Sequence, residues 1–401
     1  MRGLQRYGAV LAPTGARPAL VSSIIGRLSL AMNGLAVLLL AKEATGSYAQ
    51  AGLISAALGV CFAVIAPGRA RAADRVGPLT VLRFSGVAHP VAIAAFIVLA
   101  ELSAPLPALL AASALIGASV PPLGSVMRAL WGRVVAPPLL PAAYSLESVA
   151  VELCFVTGPL LVAALASASG PALALAVSAG FASWGSFRLA GVPFVREVTG
   201  SPSRPTHVMG PLVSPLVRLN LLTMFCIGAG FGSAEVAAIA FVEEHGRSRA
   251  VAGVVLALWS LGSMAGGLVY GSLHLTRSAV RQLPLLMTGL AVVATLPSLA
   301  GSITVLGLLM AGYGSLIAPF FACNSLVLGE AAPEGTVTEA FAWSSSMIFG
   351  GAAAGTALAG LVIEAHGGHV ALRIAAVTAV VAAVVTFVGL RRLTPRQDAP
   401  A

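Results

Sequence analysis

The chain has 401 residues, 58% of them hydrophobic and only 9% charged, with a formal net charge of +9. Soluble domains carry about a quarter charged residues, so the composition excludes an ordinary soluble protein. The basic residues are scattered between apolar stretches and do not form a patch or stripe, which excludes a nucleic-acid binder. Arg outnumbers Lys 22 to 1, the codon signature of a GC-rich bacterial genome.

In chain order, apolar segments long enough to cross about 30 Å of hydrocarbon occur at 20–41, 48–67, 79–101, 105–127, 143–167, 171–192, 216–241, 250–272, 282–300, 303–328, 338–363 and 369–390. The sequence therefore predicts an all-α integral membrane protein with twelve transmembrane helices. The first segment is too long for a signal-peptide core and lacks a small-residue cleavage site, so it is expected to be retained. With the N-terminus inside, 18 of the 23 basic residues fall on the inner side and four (Lys42, Arg247, Arg249, Arg373) outside. The positive-inside rule then predicts cytoplasmic termini.

A break rich in Pro and Ser at 193–215 reads as a cytoplasmic linker. It separates an N-terminal bundle, 1–192, from a C-terminal bundle with a short cytoplasmic tail, 216–401. An internal repeat supports two pseudo-symmetric six-helix bundles. Gly52 and Ala70 match Gly253 and Gly271 at an offset of 201, while Pro122, Ala143, Tyr144 and Gly158 match Pro319, Ala340, Phe341 and Gly355 at 197. The charged stretch Pro67–Arg83 is expected to be the cytoplasmic loop between the second and third spans, with Asp74 ionised and paired, suited to a helix N-terminus near Thr336–Glu339. Positive-inside anchoring alone is the competing reading of this stretch.

Within that stretch, Ala70-x-x-x-Asp74-Arg75-x-Gly77-Pro78 resembles the loop signature of the major facilitator superfamily, Gly-x-x-x-Asp-Arg-x-Gly-Arg, with Ala70 for its first Gly and Pro78 for its last Arg. The second copy keeps Gly271 and Arg277 but has Leu275 in place of the acid. The resemblance implies that Asp74, Arg75 and Gly77 form a conformational latch between the halves. Gly158-Pro159 in the fifth span resembles the Gly-Pro helix bend of drug–proton antiporters, although the remaining glycines of that pattern are absent. The antiporters' Arg in the fourth span is absent too, since Ser113 stands at its place. A plain proline bend is the alternative.

Ionisable groups deep in spans are costly and mark function by default. Arg27 lies about 10 Å inside the first span by helix rise, and either snorkels or meets substrate or a carboxylate. Glu152, near the middle of the fifth span, must face a polar cavity, pair with a cation or be protonated, and is the proton-coupling candidate; a structural hydrogen bond is its alternative. Asn33 and Glu235 sit at nearly equivalent depths on the first and seventh spans. In the resembled family these spans line the central cavity, so both residues are candidate substrate contacts, with helix–helix hydrogen bonding as the bland reading. Trp343 is a further candidate for the cavity lining. Arg128 with Trp131 reads as an interface anchor, and His89 as a satisfied core histidine. Glu364, His366 and His369 straddle a helix end and read as loop residues. The four cysteines show neither metal-ligand spacing nor a disulfide framework, and no phosphate loop or nucleophile–base pair is present. No metal, cofactor or enzymatic activity is expected.

The expected function is a secondary transporter in a bacterial plasma membrane, expected to be a monomer, exporting a small organic molecule by alternating access with proton coupling. Uptake of a metabolite by uniport or symport is the alternative, and a non-transporting sensor or scaffold of the same fold is the rival from another class.

Overall fold

The computed structural model describes residues 3–198, 209–273 and 278–393. The twin motif residues Leu275 and Arg277, and Arg2, Arg204 and Arg396 of the charge count, lie outside them. Among the described residues the chain is all-helical. Twelve of the helices described are long and apolar enough to cross a membrane: α1 Ala16–Thr45, α2 Tyr48–Val76, α3 Pro78–Glu101, α4 Leu106–Val134, α5 Pro137–Ser169, α6 Pro171–Ala190, α7 Pro215–Glu244, α8 Ala250–Ser272, α9 Ala279–Leu299, α10 Ile303–Ala331, α11 Val337–His366 and α12 Gly368–Arg392. A short helix, Gly3–Val10, precedes them.

Local chemistry sets the boundaries. Pro78, Pro171 and Pro215 each begin a helix, where the missing N–H costs nothing. Ser47, Ser214 and Ser302 accept a backbone N–H from the first turn of α2, α7 and α10. The expected loop over 67–83 is a correction. α2 continues helically through Arg69, Arg71 and Asp74 to Val76, and α3 starts at Pro78. The whole connection is Gly77, at φ 90°, a conformation that only glycine adopts without steric cost.

Two helices are discontinuous, and they are the fourth of each six. α4 consists of Leu106–Ser119 and Leu123–Val134, interrupted at Val120-Pro121-Pro122. α10 consists of Ile303–Gly314 and Ile317–Ala331. Pro122 stands at the first break, and Pro319, its partner in the sequence repeat, is the third residue of the helix that follows the second. The repeat also appears in packing. Gly158 of α5 lies against Ala31 of α1, and Gly355 of α11 lies against Ala229 of α7.

Small residues bring the helices of each half together. Gly228 and Gly232 of α7 meet the carbonyls of Ile348 and Ala352, while Gly351 and Gly355 of α11 meet those of Phe225 and Ala229. Any side chain at these four positions would run into backbone. α1 and α6 approach similarly through Gly26 and Gly185.

The two halves meet mainly along α2–α11 and α5–α8. Ser346 Oγ donates to the Ala63 carbonyl at 2.6 Å. Phe349 packs edge-on to Phe62, with centroids 5.4 Å apart, and tilted against Phe155 at 6.4 Å. The remaining cross-half contacts lie toward the end carrying Gly77 and Gly3–Val10, the inner end in the expected orientation. There the short helix straps the seam. Tyr7 donates to the Leu268 carbonyl of α8 at 2.6 Å, and Arg6 donates to the carbonyls of Leu273 and, at 2.5 Å, of Pro138.

Candidate functional site

A cavity of about 290 Å3 lies between the halves, from mid-span toward the inner end. The break in α4 opens directly onto it. A helix end leaves carbonyls or amides without intrahelical partners, so an interrupted helix presents one set of each. Arg69 of α2 serves the carbonyl end of Leu106–Ser119, donating from Nη1 to the oxygens of Gly117 (3.1 Å) and Ala118. A cation there also complements the negative end of the helix dipole. The amide end, the start of Leu123–Val134, has no side-chain cap and no acid in its first turn. Leu123, Gly124 and Ser125 at that end line the cavity.

Arg27 of α1 lies beside this amide end and is 8% exposed, and its Nη2 forms an ion pair with Glu147 Oε2 at 2.8 Å. Glu147, 1% exposed, also accepts from Trp131 Nε1 at 3.1 Å through its other oxygen. Arg27 Nε donates to the Ser23 carbonyl at 3.2 Å, but Nη1 is buried without a hydrogen-bond partner. Gly124 is small enough to leave that nitrogen facing it. Arg128, one turn along the same half-helix, lines the cavity as well.

Glu152 faces the cavity from α5 and accepts a hydrogen bond from Ser263 Oγ of α8 at 2.8 Å. It therefore joins the two halves at mid-depth. The opposite wall, from the C-terminal half, mixes aromatic and small polar residues: Phe231, Phe321, Phe341 and Phe349 with Asn324, Ser325, Ser344 and Ser345. Phe231 is itself held by Trp259, Tyr313 and Phe321.

The inner floor is a cluster of charge. Asp74 accepts from the backbone N–H groups of Thr338 (3.2 Å) and Glu339 (2.9 Å), at the N-terminus of α11. Arg71 grips the Glu339 carboxylate with two nitrogens, at 2.8 and 2.6 Å, and Trp343 Nε1 donates to the same group at 3.3 Å. Gly210, at φ 53°, lies against this pair. Tyr144 and Phe341 close the floor beside it, their centroids 6.1 Å apart.

Several expected site residues are placed elsewhere. Asn33 is fully buried inside the N-terminal half, where its amide binds His89 Nε2 at 3.1 Å and accepts from Ser178 Oγ at 2.6 Å. It does not line the cavity, because α1 turns that face toward α3 and α6. His89 completes its bonding with Ser29 and Ser119. Trp343 faces Glu339 and stands outside the cavity lining. Glu235 is exposed, one helical turn outward of Phe231 on the same face of α7; it too lies beyond the cavity. Arg75 is exposed at the end of α2, and the basic partner at the α2–α11 contact is Arg71. Arg128 is not an interface anchor. α4 runs to Val134 and so carries Arg128 inside, while Trp131 is fully buried. α5 remains helical through Gly158 and Pro159.

The family model described as Major Facilitator Superfamily matches residues 220–401. A search among curated proteins finds no match. Among solved structures, a bacterial homologue of the iron transporter ferroportin, in its outward-facing state, aligns with a TM-score of 0.77 and 15% identity, covering 93% of this chain and 98% of that one. The human organic anion transporter MFSD10 (TETRAN) aligns at 0.71 and 18% identity, covering 92% and 99%. The fucose:proton symporter FucP of E. coli aligns at 0.68 and 16% identity, covering 95% and 99%. Residues 220–401 are thus similar in sequence to the major facilitator superfamily, and the twelve-helix fold is shared with these solved transporters over more than nine-tenths of the chain.

Proposed function

We propose that this chain is a secondary transporter of a bacterial plasma membrane, working as a monomer with both termini cytoplasmic. It moves a small organic molecule outward by alternating access, with proton entry as the driving reaction. The observation that carries this reading is the hydrogen bond from Ser263 to Glu152, which joins the two halves at the wall of a central cavity. An ionised Glu152 is a strong acceptor for Ser263, and protonation weakens that bond. Proton binding and loosening of the α5–α8 seam are thereby linked at one atom pair. The bundles 1–192 and 216–401 act as the moving bodies, with 193–215 as their connection.

The floor supports the conformational half of the cycle. Asp74, with the Arg71–Glu339 pair beside it, holds the inner end closed, while the named cross-half contacts all fall from mid-span inward. The latch is therefore Asp74 and Arg71 on α2, with Gly77 setting the tight turn that places them. The likeness to a proton symporter favours proton linkage over an uncoupled carrier, and it keeps uptake by symport as the second reading.

Flux in proteoliposomes tests the proposal. Wild-type protein should move substrate against its gradient when a proton gradient is imposed, and Glu152→Gln should retain exchange but lose that gradient-driven accumulation. Unchanged coupling in Glu152→Gln would refute the role given to this residue. Ligand binding without any flux would refute transport itself.

A further inference from the structure

The cavity is chemically lopsided. Its N-terminal wall carries three guanidinium groups, Arg27, Arg69 and Arg128, against one carboxylate, Glu152, with a second, Glu147, paired to Arg27 behind the wall. Even with both acids ionised, three positive charges less two negative leave a surplus of one. An uncompensated charge buried in a membrane protein is expensive, so its retention calls for a counter-charge.

The three cations are not equivalent. Arg69 is committed to the carbonyls of Gly117 and Ala118 and stacks over Phe62 with its guanidinium carbon 5.9 Å from the ring centroid. Arg27 is half committed: Glu147 takes one terminal nitrogen, and the other, Nη1, is buried and unpartnered beside Gly124. Arg128 makes no ion pair among the described residues. Arg27 Nη1 lies beside the uncapped amide end of Leu123–Val134, and Arg128, one turn along that helix, lines the same cavity. The break in α4 thus has its carbonyl end neutralised by a resident cation, and its amide end left without a resident anion.

We propose that this amide end is the binding site for the anionic head of a small organic acid, a carboxylate or a phosphate monoester. The head sits between Arg27 Nη1, Arg128 and the free N–H groups of the Leu123–Ser125 turn. The start of a half-helix suits an anion twice over, through its unpaired amides and its dipole. Arg offers planar paired donors that match a carboxylate or phosphate. The body of the ligand lies against Phe231, Phe321 and Phe349 on the facing wall, which carries no charged side chain; its polar groups are the neutral Asn324, Ser325, Ser344 and Ser345. The volume of about 290 Å3 suits a compact ligand with a single ring. This assignment rests on the reading of the cavity as the transport site, but its binding half can be tested separately.

The test uses the full chain, purified and reconstituted in lipid nanodiscs, with four matched probes: benzoate, phenyl phosphate, benzamide and benzylamine. Binding is read by tryptophan fluorescence and by thermal shift. At least one of the two anions should half-saturate the protein at a concentration tenfold or more below benzamide, and benzylamine should bind more weakly still. The better anion identifies the head group. Arg128→Gln should remove that tenfold preference, read as the ratio of anion to benzamide half-saturation within the variant, and Arg128→Lys should restore part of it. Anions binding no better than benzamide, absence of anion binding, or a preference that survives in Arg128→Gln would each overturn the proposal. The wild-type comparison stands even if a variant fails to fold. In proteoliposomes the two readings separate. Anion binding without flux keeps this site and removes the transporter, while flux of neutral probes with no anion preference keeps the transporter and removes this site.

Discussion

Replacing Asp74 by Asn perturbs the inner closure at one atom. The carboxylate accepts two backbone N–H groups, at 3.2 and 2.9 Å, from the first residues of α11. Asn keeps one acceptor oxygen and sets an NH2 group against the second N–H, donor facing donor. One charge-assisted bond becomes neutral and the other is lost, and the favourable placement of negative charge at a helix N-terminus disappears as well. Charge-assisted bonds contribute about 1.5–3 kcal/mol each against about 1 for neutral ones. Asp74 is half-buried, so water recovers part of the loss, and a net weakening of roughly 1.5–3 kcal/mol is expected. That corresponds to a shift of about 10- to 150-fold toward inner-end opening. Cys154, which lines the cavity, supplies the reporter once Cys61, Cys226 and Cys323 are replaced by Ala. Membrane-impermeant thiol reagents, applied to vesicles of each orientation, measure access to Cys154 from each side. In Asp74→Asn, labelling from the inner side should rise by at least tenfold relative to the outer side. An unchanged ratio would mean that the α2–α11 contact is an anchor and not a latch.

Other perturbations separate folding from function. Glu147→Gln leaves Arg27 buried without its counter-ion and should cost about 3–5 kcal/mol, seen as a lowered Tm in detergent, whereas Arg27→Gln combined with Glu147→Gln should recover most of the loss. Gly228→Leu would force α7 off the Ile348 carbonyl of α11 and should yield little monodisperse protein by size-exclusion chromatography, while Gly34→Leu, with open space around it, should not. Asn33→Ala should lower Tm by breaking the buried network with His89 and Ser178 but leave probe affinities within about twofold, since RT is about 0.6 kcal/mol and the residue lies off the cavity. Tyr7→Phe should weaken the strap by about 1 kcal/mol, the loss of one hydrogen bond. Burial pushes the Tyr7 phenol from its ordinary value of 10.0 to about 12, so the folded state holds that proton more tightly. The contribution is therefore complete below pH 10 and is lost as pH rises from about 10 to 12, which equilibrium unfolding at graded pH would register.

Hydropathy locates all twelve helices because about twenty apolar residues in a row fit little else than a membrane span. It places their ends less well where charge and helix overlap. The stretch Pro67–Arg83 reads as a loop by composition, yet Ala, Arg and Asp are all compatible with helix, and Gly77 is the sole residue in it that breaks one. Composition accordingly puts Arg69, Arg71 and Arg128 at the membrane surface, although the helices carrying them extend two turns further inward. One signal in the sequence points the other way. The Pro121-Pro122 pair interrupts α4 just before Arg128, and a broken helix leaves polar backbone that must be satisfied where it lies. Asn33 departs in the opposite sense. Its depth is legible, but depth does not fix azimuth, and α1 directs it at His89 and Ser178 instead of the cavity. Glu152 and Arg27 reach the cavity, in keeping with their depth.

The two broken helices show how a repeat diverges into a site. Both fourth helices are interrupted within a few residues of equivalent positions, so the interruption belongs to the shared architecture. What each half places around its break differs. The N-terminal break is surrounded by Arg27, Arg69 and Arg128, whereas the C-terminal break packs on Trp259, Ser263 and Gly266 of α8, with Phe231 against the neighbouring Tyr313, and has no charged side chain among these contacts. Charge recognition and apolar contact are thereby divided between the halves, and a ligand spanning the cavity touches one function on each. Such a ligand senses any relative rocking of the halves, because its head and body cannot follow both walls at once. A probe with a head and no body, such as inorganic phosphate, should then occupy the amide end of α4 without altering access to Cys154. Benzoate or phenyl phosphate, which reach both walls, should change that access on one side. Equal effects of the two kinds of probe would show that the aromatic wall takes no part in coupling binding to movement.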